Sequence, residues 1–293
     1  MPLQHLLPPL IVVLLWTGNN LVTKLSAGSV DPRVMGFGRF AIALLVLAPL
    51  AYRQGWAYRA VIRRNLPKLA FLGFLGMGLA QGIPYFAART VTATTIGILV
   101  AFIPLVTLAL SGVLLREKPR WTTVIGGIVS LVGVGFLLGH GDISTLASQG
   151  IGIGEGLMLT SVLAYAAYGV FLKFWSLPIP IWPSLFVQSC FAALMLLPAY
   201  LATPPLEITT GGIAIVLYAG VVASAMAPFL WMRGIATIGP SRMASFSNLV
   251  PVLTAAAAVA FLGEPLQAYH VYSGGIILMG VALAQWGSRR RSA

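Results

Sequence analysis

Carboxylates are scarce in this chain. Asp31, Glu117, Asp142, Glu155, Glu207 and Glu264 are its six acidic residues among 293. Charged residues of both signs reach only 8%, against roughly 25% in a soluble domain. So few charges cannot cover a water-facing surface, so the outer surface must face lipid. Cys190 is alone, which excludes an intrachain disulfide. His5, His140 and His270 all fall at the ends of apolar runs. The sequence has no paired mid-run carboxylates, no mid-depth histidine, no Cys/His metal spacing and no P-loop pattern. Intramembrane proteolysis, Mg²⁺-assisted prenyl transfer and ATP hydrolysis each need one of these sets. No enzymatic activity, cofactor or metal is expected. No basic stretch precedes the first apolar run, so that run is expected to persist as a helix.

Apolar residues make up 58% of the chain. A spanning helix needs about 20 of them in succession. Ten runs qualify: 3–25, 33–53, 68–88, 92–114, 121–139, 154–174, 181–202, 211–232, 241–262 and 268–287. Turn or charge signals separate them, among them Asp31-Pro32, Arg63-Arg64-Asn65-Leu66-Pro67-Lys68, Arg116-Glu117-Lys118-Pro119-Arg120 and Thr203-Pro204-Pro205. The net charge of +12 does not point to nucleic acid, because the basic residues lie between runs, where they set orientation. With a cytoplasmic N-terminus, Arg53, Arg59, Arg63, Arg64, Lys68, Arg116, Lys118, Arg120, Lys173, Arg233, Arg242 and Arg289-Arg290-Arg291 all fall inside. Arg33 and Arg89 fall outside, and Lys24 and Arg39 lie within helices near the outer face. Both termini are then cytoplasmic, in a multi-pass membrane protein.

The halves of the chain match at a fixed shift. Adding 147 takes Pro104 to Pro251, Glu117 to Glu264, Gly127 to Gly274 and Gly133 to Gly280. Near the start of each half the shift is 149, taking Trp16 to Tyr165, Lys24 to Lys173 and Pro49 to Pro198. Five spans per half is odd, so the second half enters the bilayer from the opposite side. The expected fold is an all-α membrane protein: ten transmembrane helices, in two inverted five-helix repeats, 1–147 and 148–293, around a central cavity. Such repeats suit alternating access to a site near the midplane.

Polar groups near mid-depth are costly unless used. Trp16 and Asn20 are four apart on one helical face, as are Gln81 and Tyr85. Tyr165 and Tyr168 stand at mid-depth in the sixth run, and Ser245 and Asn248 precede Pro251. These eight are the candidate solute-binding residues. Aromatic faces can stack on a ring or hold an ammonium group. Helix packing is the alternative for Asn20, and an interfacial aromatic belt for Tyr85. Pro104 and Pro251 each remove a helix-interior hydrogen bond and are candidate hinges. Glu117 and Glu264 each precede the fifth helix of a half, where a carboxylate favours the N-terminus. They are expected to cap helices.

Leu114-Leu115-Arg116-Glu117-Lys118-Pro119 through Gly126-Gly127 matches Phe261-Leu262-Gly263-Glu264-Pro265 through Gly274-Gly275. With the ten-run topology, this motif resembles the drug/metabolite transporter superfamily (EamA-like). The chain is most similar to its YddG-type aromatic amino-acid exporters, through Trp16-Thr17-Gly18-Asn19-Asn20 and Gln81-Gly82-Ile83-Pro84-Tyr85. The resemblance implies export of aromatic and other neutral amino acids. The expected partners are a small solute and the lipid bilayer, with no nucleic acid and no obligate protein partner. Export of another small metabolite or drug, or a non-transporting scaffold or sensor role, are the alternatives.

Overall fold

The computed structural model describes residues 7–114, 121–142, 144, 150–203, 209–238, 246 and 249–289. The regular elements among them are all helical. The first are α1 (Leu7–Ser26), α2 (Pro32–Ala57) and the short α3 (Arg59–Arg64). One continuous stretch then joins α4 (Leu66–Leu72), a π-helical segment (Gly73–Leu79) and α5 (Ala80–Ala87). It is followed by α6 (Ala93–Val100), α7 (Ile103–Leu114), α8 (Trp121–Leu138), α9 (Ile153–Trp175) and α10 (Ile181–Leu201). A second stretch joins α11 (Thr210–Leu217), a π-helical segment (Tyr218–Met226) and α12 (Ala227–Ile238). The last are α13 (Leu249–Leu262) and α14 (Ala268–Arg289). Helices lie on all ten apolar runs. Among the described residues, six stretches combine the length and hydropathy needed to cross a bilayer: 32–57, 66–87, 93–114, 153–175, 181–201 and 210–231.

Local chemistry sets the boundaries. Asp31 accepts the Arg33 amide at 2.8 Å and caps α2, with Pro32 preset for the first turn. Thr92 caps α6 through the Thr95 amide, and Thr209 caps α11 through the Gly212 amide. The fourth apolar run is broken at Ala101-Phe102, just before Pro104, which lies in the first turn of α7. Pro104 cannot donate a backbone hydrogen bond, and the two helices meet at this break. Pro251 likewise sits in the first turn of α13. Gly263, at φ +64, ends α13 in the left-handed region that favours glycine. The Glu264 amide then reaches back six residues to the Ala258 carbonyl, fixing where the Glu264 side chain points.

Large apolar side chains such as Leu45, Val113, Ile153, Leu201 and Phe261 are exposed, as lipid-facing residues are. Between helices, lipid supplies no hydrophobic drive, so close contact at small residues matters most. Gly97 packs against Thr254, Gly73 against the Gln188 backbone, and Gly220 against Ile42 and the Arg39 carbonyl. A Cβ added at Gly73 would stand 2.6 Å from the Gln188 carbonyl oxygen, and one at Gly220 2.8 Å from that of Arg39. These two contacts correspond: Gly73 maps to Gly220 at shift 147, and Arg39 to Gln188 at shift 149.

The two π-helical segments also fall in corresponding stretches. Packing between elements is reciprocal: α2 meets α10, α8 meets α14, and α6 meets α13. The second π segment packs on α2, and the first packs on α10. Along α8 and α14, Gly126 lies by Gly280, Gly133 by Ile277, and the His140 ring by that of Tyr269. Residue numbers rise on one helix as they fall on the other, so α8 and α14 run antiparallel.

Candidate functional site

Arg39 stands at the junction of α2, α5 and the second π segment. It is 2% exposed. Its Nε donates to Ser224 Oγ at 2.9 Å. One terminal nitrogen donates to the Tyr85 hydroxyl at 2.6 Å and to the Gln81 carbonyl at 3.3 Å. The other donates to Gln81 Oε1 at 2.6 Å. The faces of Phe40 and Tyr85 lie 5.3 and 5.5 Å from the guanidinium carbon.

Two of the three side-chain acceptors on this guanidinium, Gln81 and Ser224, are anchored to carbonyls of the π segments. Gln81 Nε2 donates to the Gly76 carbonyl, five residues back, and Ser224 Oγ donates to the Ala219 carbonyl, also five back. Local π geometry re-aims carbonyls in this way, and such segments recur at functional sites. Gln81 and Tyr85 therefore come together as their spacing predicts, but on a buried cation.

The other candidates distribute around this core. Trp16 meets Trp231 with ring centroids 4.7 Å apart. Asn20 is buried and donates to Thr254 Oγ1 at 3.1 Å, tying α1 to α13. Tyr165 and Tyr168 face each other at 5.9 Å. The Tyr168 ring lies on Gly76 of the first π segment, with no room there for a Cβ. Ser245, Asn248 and Glu117 lie outside the described residues. Thr17 Oγ1, Asn19 Oδ1, Gln188 Oε1 and Ser189 Oγ are buried oxygens without a hydrogen-bond partner among the described residues. Among the described residues, no three His, Cys, Asp or Glu side chains gather to hold a metal ion.

A second cluster grips the turn between α5 and α6. Lys24 Nζ donates to the Ala88 and Val91 carbonyls at 2.9 and 2.7 Å. The Glu264 carboxylate accepts from the Ala93 and Thr94 amides at 2.8 and 3.2 Å, and from the Thr94 hydroxyl at 3.2 Å. A cation thus meets the carbonyl end of one helix and an anion the amide end of the next, as both helix dipoles favour. The helix Glu264 meets is α6, in the other half of the chain. Nearby, Asp31 pairs with Arg33 and Arg89 at 3.1 and 3.5 Å. Burial pushes the Asp31 carboxyl up, but the hydrogen bonds from Arg33 and the charges of Arg33 and Arg89 outweigh it and hold the group below its ordinary range.

One family model, the EamA-like transporter family, matches this chain twice, over residues 6–139 and 152–286. The chain belongs to the EamA-like transporter family. It is a multi-pass membrane transporter, and several of the relatives it matches are named as transporters. "Uncharacterized transporter YyaM" of Bacillus subtilis is 21% identical over 90% of this chain and 87% of its own. An "Uncharacterized transporter" of Archaeoglobus fulgidus is 26% identical over 95% and 96%. A "Probable terminal-alkyne amino-acid exporter" of Streptantibioticus cattleyicolor is 25% identical over 88% and 86%. A protein crystal structure shares the fold over the full length of both chains, at TM-score 0.66 and 20% identity.

For this EamA-like transporter, the sequence nominated Gln81 and Tyr85 but missed the residue that joins them. Arg39 reads from its run as a cation near the outer face, and Ser224, Trp231 and Thr254 as ordinary span residues. One signal was available: Arg39 lies inside an apolar run, with no acid in the middle of any run to neutralise it.

Proposed function

We propose that this EamA-like transporter exports small neutral solutes, foremost aromatic and other neutral amino acids, by alternating access or facilitated diffusion. In this reading ten spans form two inverted halves, 1–147 and 148–293, around a shared central cavity in the bacterial inner membrane, with both termini cytoplasmic. The observation that carries the reading is the reciprocal packing of the halves. Contacts made by one half recur in the other at shifts of 147 and 149, and α8 and α14 run antiparallel. Two elements so related can exchange conformations and present one site to either side in turn.

The aromatic pairs Trp16–Trp231 and Tyr165–Tyr168 suit a ring-bearing solute. The similarity to an amino-acid exporter of Streptantibioticus cattleyicolor supports the same class. None of Asp31, Asp142, Glu155 and Glu264 lies within a span interior. The reading therefore invokes no carboxylate proton relay. Pro104 and Pro251, in the first turns of α7 and α13, are the proposed hinges.

Purified protein in liposomes preloaded with unlabelled tryptophan tests the reading. Counterflow of labelled tryptophan is expected, with Trp16→Ala, Gln81→Ala and Tyr165→Ala each lowering it at least severalfold. Absence of counterflow across aromatic and aliphatic amino acids contradicts the substrate class. Full activity in all three variants contradicts the site.

A further inference from the structure

An arginine keeps its proton throughout the physiological range, so Arg39 places a full positive charge inside the bundle. All four of its hydrogen bonds go to neutral oxygens, on Gln81, Tyr85 and Ser224. The described carboxylates are elsewhere: Asp31 with Arg33 and Arg89, Asp142 with Ser144, Glu155 by His140, and Glu264 on α6. Burying a charge without a counter-charge is costly, and such residues in membrane spans are ordinarily functional.

The fold does not require that charge. Gln188 stands at the corresponding position of α10, at shift 149. It is 1% exposed, and its backbone presses on Gly73 as that of Arg39 presses on Gly220. A neutral side chain therefore serves the same packing position in the other half. What Arg39 adds is a guanidinium.

The guanidinium's geometry indicates what it takes. A carboxylate meets arginine through two parallel hydrogen bonds. In Arg39 the two terminal nitrogens each make one 2.6 Å contact, to the Tyr85 hydroxyl and to Gln81 Oε1. Both acceptors are side-chain oxygens on α5, whereas the Nε partner, Ser224, belongs to the other half. A shift of α5 against α2 would free both terminal nitrogens together, leaving Nε anchored. We infer that Arg39 is the recognition group for the carboxylate of the transported solute, with Gln81 and Tyr85 holding the two oxygen positions when solute is absent. This inference rests on the amino-acid transport proposed above and names which end of the amino acid is read.

The test compares tryptophan with tryptophanamide, which keeps ring and amine but lacks the carboxylate. Counterflow is measured in proteoliposomes with wild type, Arg39→Gln and Arg39→Lys. Wild type is expected to prefer tryptophan at least tenfold. Arg39→Gln should abolish that preference, lowering tryptophan flux at least tenfold more than tryptophanamide flux. A preference that survives Arg39→Gln overturns the inference, as does equal loss of both solutes in a folded variant. Should Arg39→Gln not fold, Arg39→Lys decides. It keeps the charge without the fork, so the preference should shrink at least threefold, and an unchanged ratio overturns the inference. Should wild type carry neither solute, the amino-acid reading fails. Thermal stabilisation by paired small carboxylates and their amides then decides the site, and no carboxylate-specific shift overturns it.

Discussion

Ser130 donates its hydroxyl to the carbonyl oxygen of Ile277 at 3.1 Å, and the two residues are 147 positions apart. That separation is the shift that aligns Pro104 with Pro251 and Gly133 with Gly280. A residue meets its own counterpart only beside an axis relating two halves, so the seam between α8 and α14 is where the proposed axis passes. Gly133 lies on Ile276 and Ile277, and Gly280 on Ser130 and the Gly126 carbonyl. Gly280→Val should therefore destabilise the protein by about 1–3 kcal/mol through overpacking. Ser130→Ala should cost about 1 kcal/mol, for one lost hydrogen bond. Unfolding curves in detergent check both. Equal stability of Gly280→Val and wild type would mean that this seam does not hold the halves.

Lys24 and Glu264 close on the same turn from two sides, and in the proposed orientation that turn faces outward. Glu264→Gln removes charge-assisted hydrogen bonds to two amides, a loss of about 1.5–3 kcal/mol for the strongest of them. The outer seal should loosen. In a Cys190→Ser background, a cysteine at Asn20 should react severalfold faster with an impermeant thiol reagent when Glu264→Gln or Lys24→Met is added. An unchanged rate would show that this clamp does not gate access.

Asp31 gives a pH dependence with a defined sign. Its folded-state carboxyl titrates below the ordinary value, so its contribution is present above about pH 4, the unfolded value. It fades as pH falls through the lower folded value. The melting-temperature gap between wild type and Asp31→Asn should therefore be constant from pH 8 down to about 5 and narrow only in more acidic buffer. A gap that widened on acidification would reverse the assignment.

Gly76 and Tyr168 form a coupled pair, since a Cβ at Gly76 would collide with the Tyr168 ring. Gly76→Ala should displace that ring and raise KM for aromatic solutes by about tenfold, the equivalent of 1.4 kcal/mol. The double variant Gly76→Ala/Tyr168→Leu should be no worse than Tyr168→Leu alone, because contacting residues are not additive. Additive losses would place the tyrosine outside the site.

Much of this organisation is legible in the residues. Long apolar runs need nothing beyond their own composition to become helices, and all ten runs carry one. The shift of 147 is visible because Pro104/Pro251, Glu117/Glu264 and Gly133/Gly280 keep one register and acidic residues are scarce. Arg39 was not readable in the same way. Depth can be counted from the end of a run, but the face turned to a neighbouring helix depends on tertiary packing, and the partner Ser224 lies 185 positions away. The π segments were hidden for a related reason. Their glycines and alanines look like ordinary small-residue packing, and the change of hydrogen-bond register leaves no distinct pattern in the sequence.

Alternating access in this transporter requires opposite orientation of the halves, which sidedness of labelling tests directly. Gly28 and Pro178 are exposed residues in the corresponding connections after α1 and α9. In intact cells carrying the Cys190→Ser protein, Gly28→Cys should react at once with a membrane-impermeant maleimide, and Pro178→Cys only after permeabilisation. Reaction of both positions from the same side would contradict it.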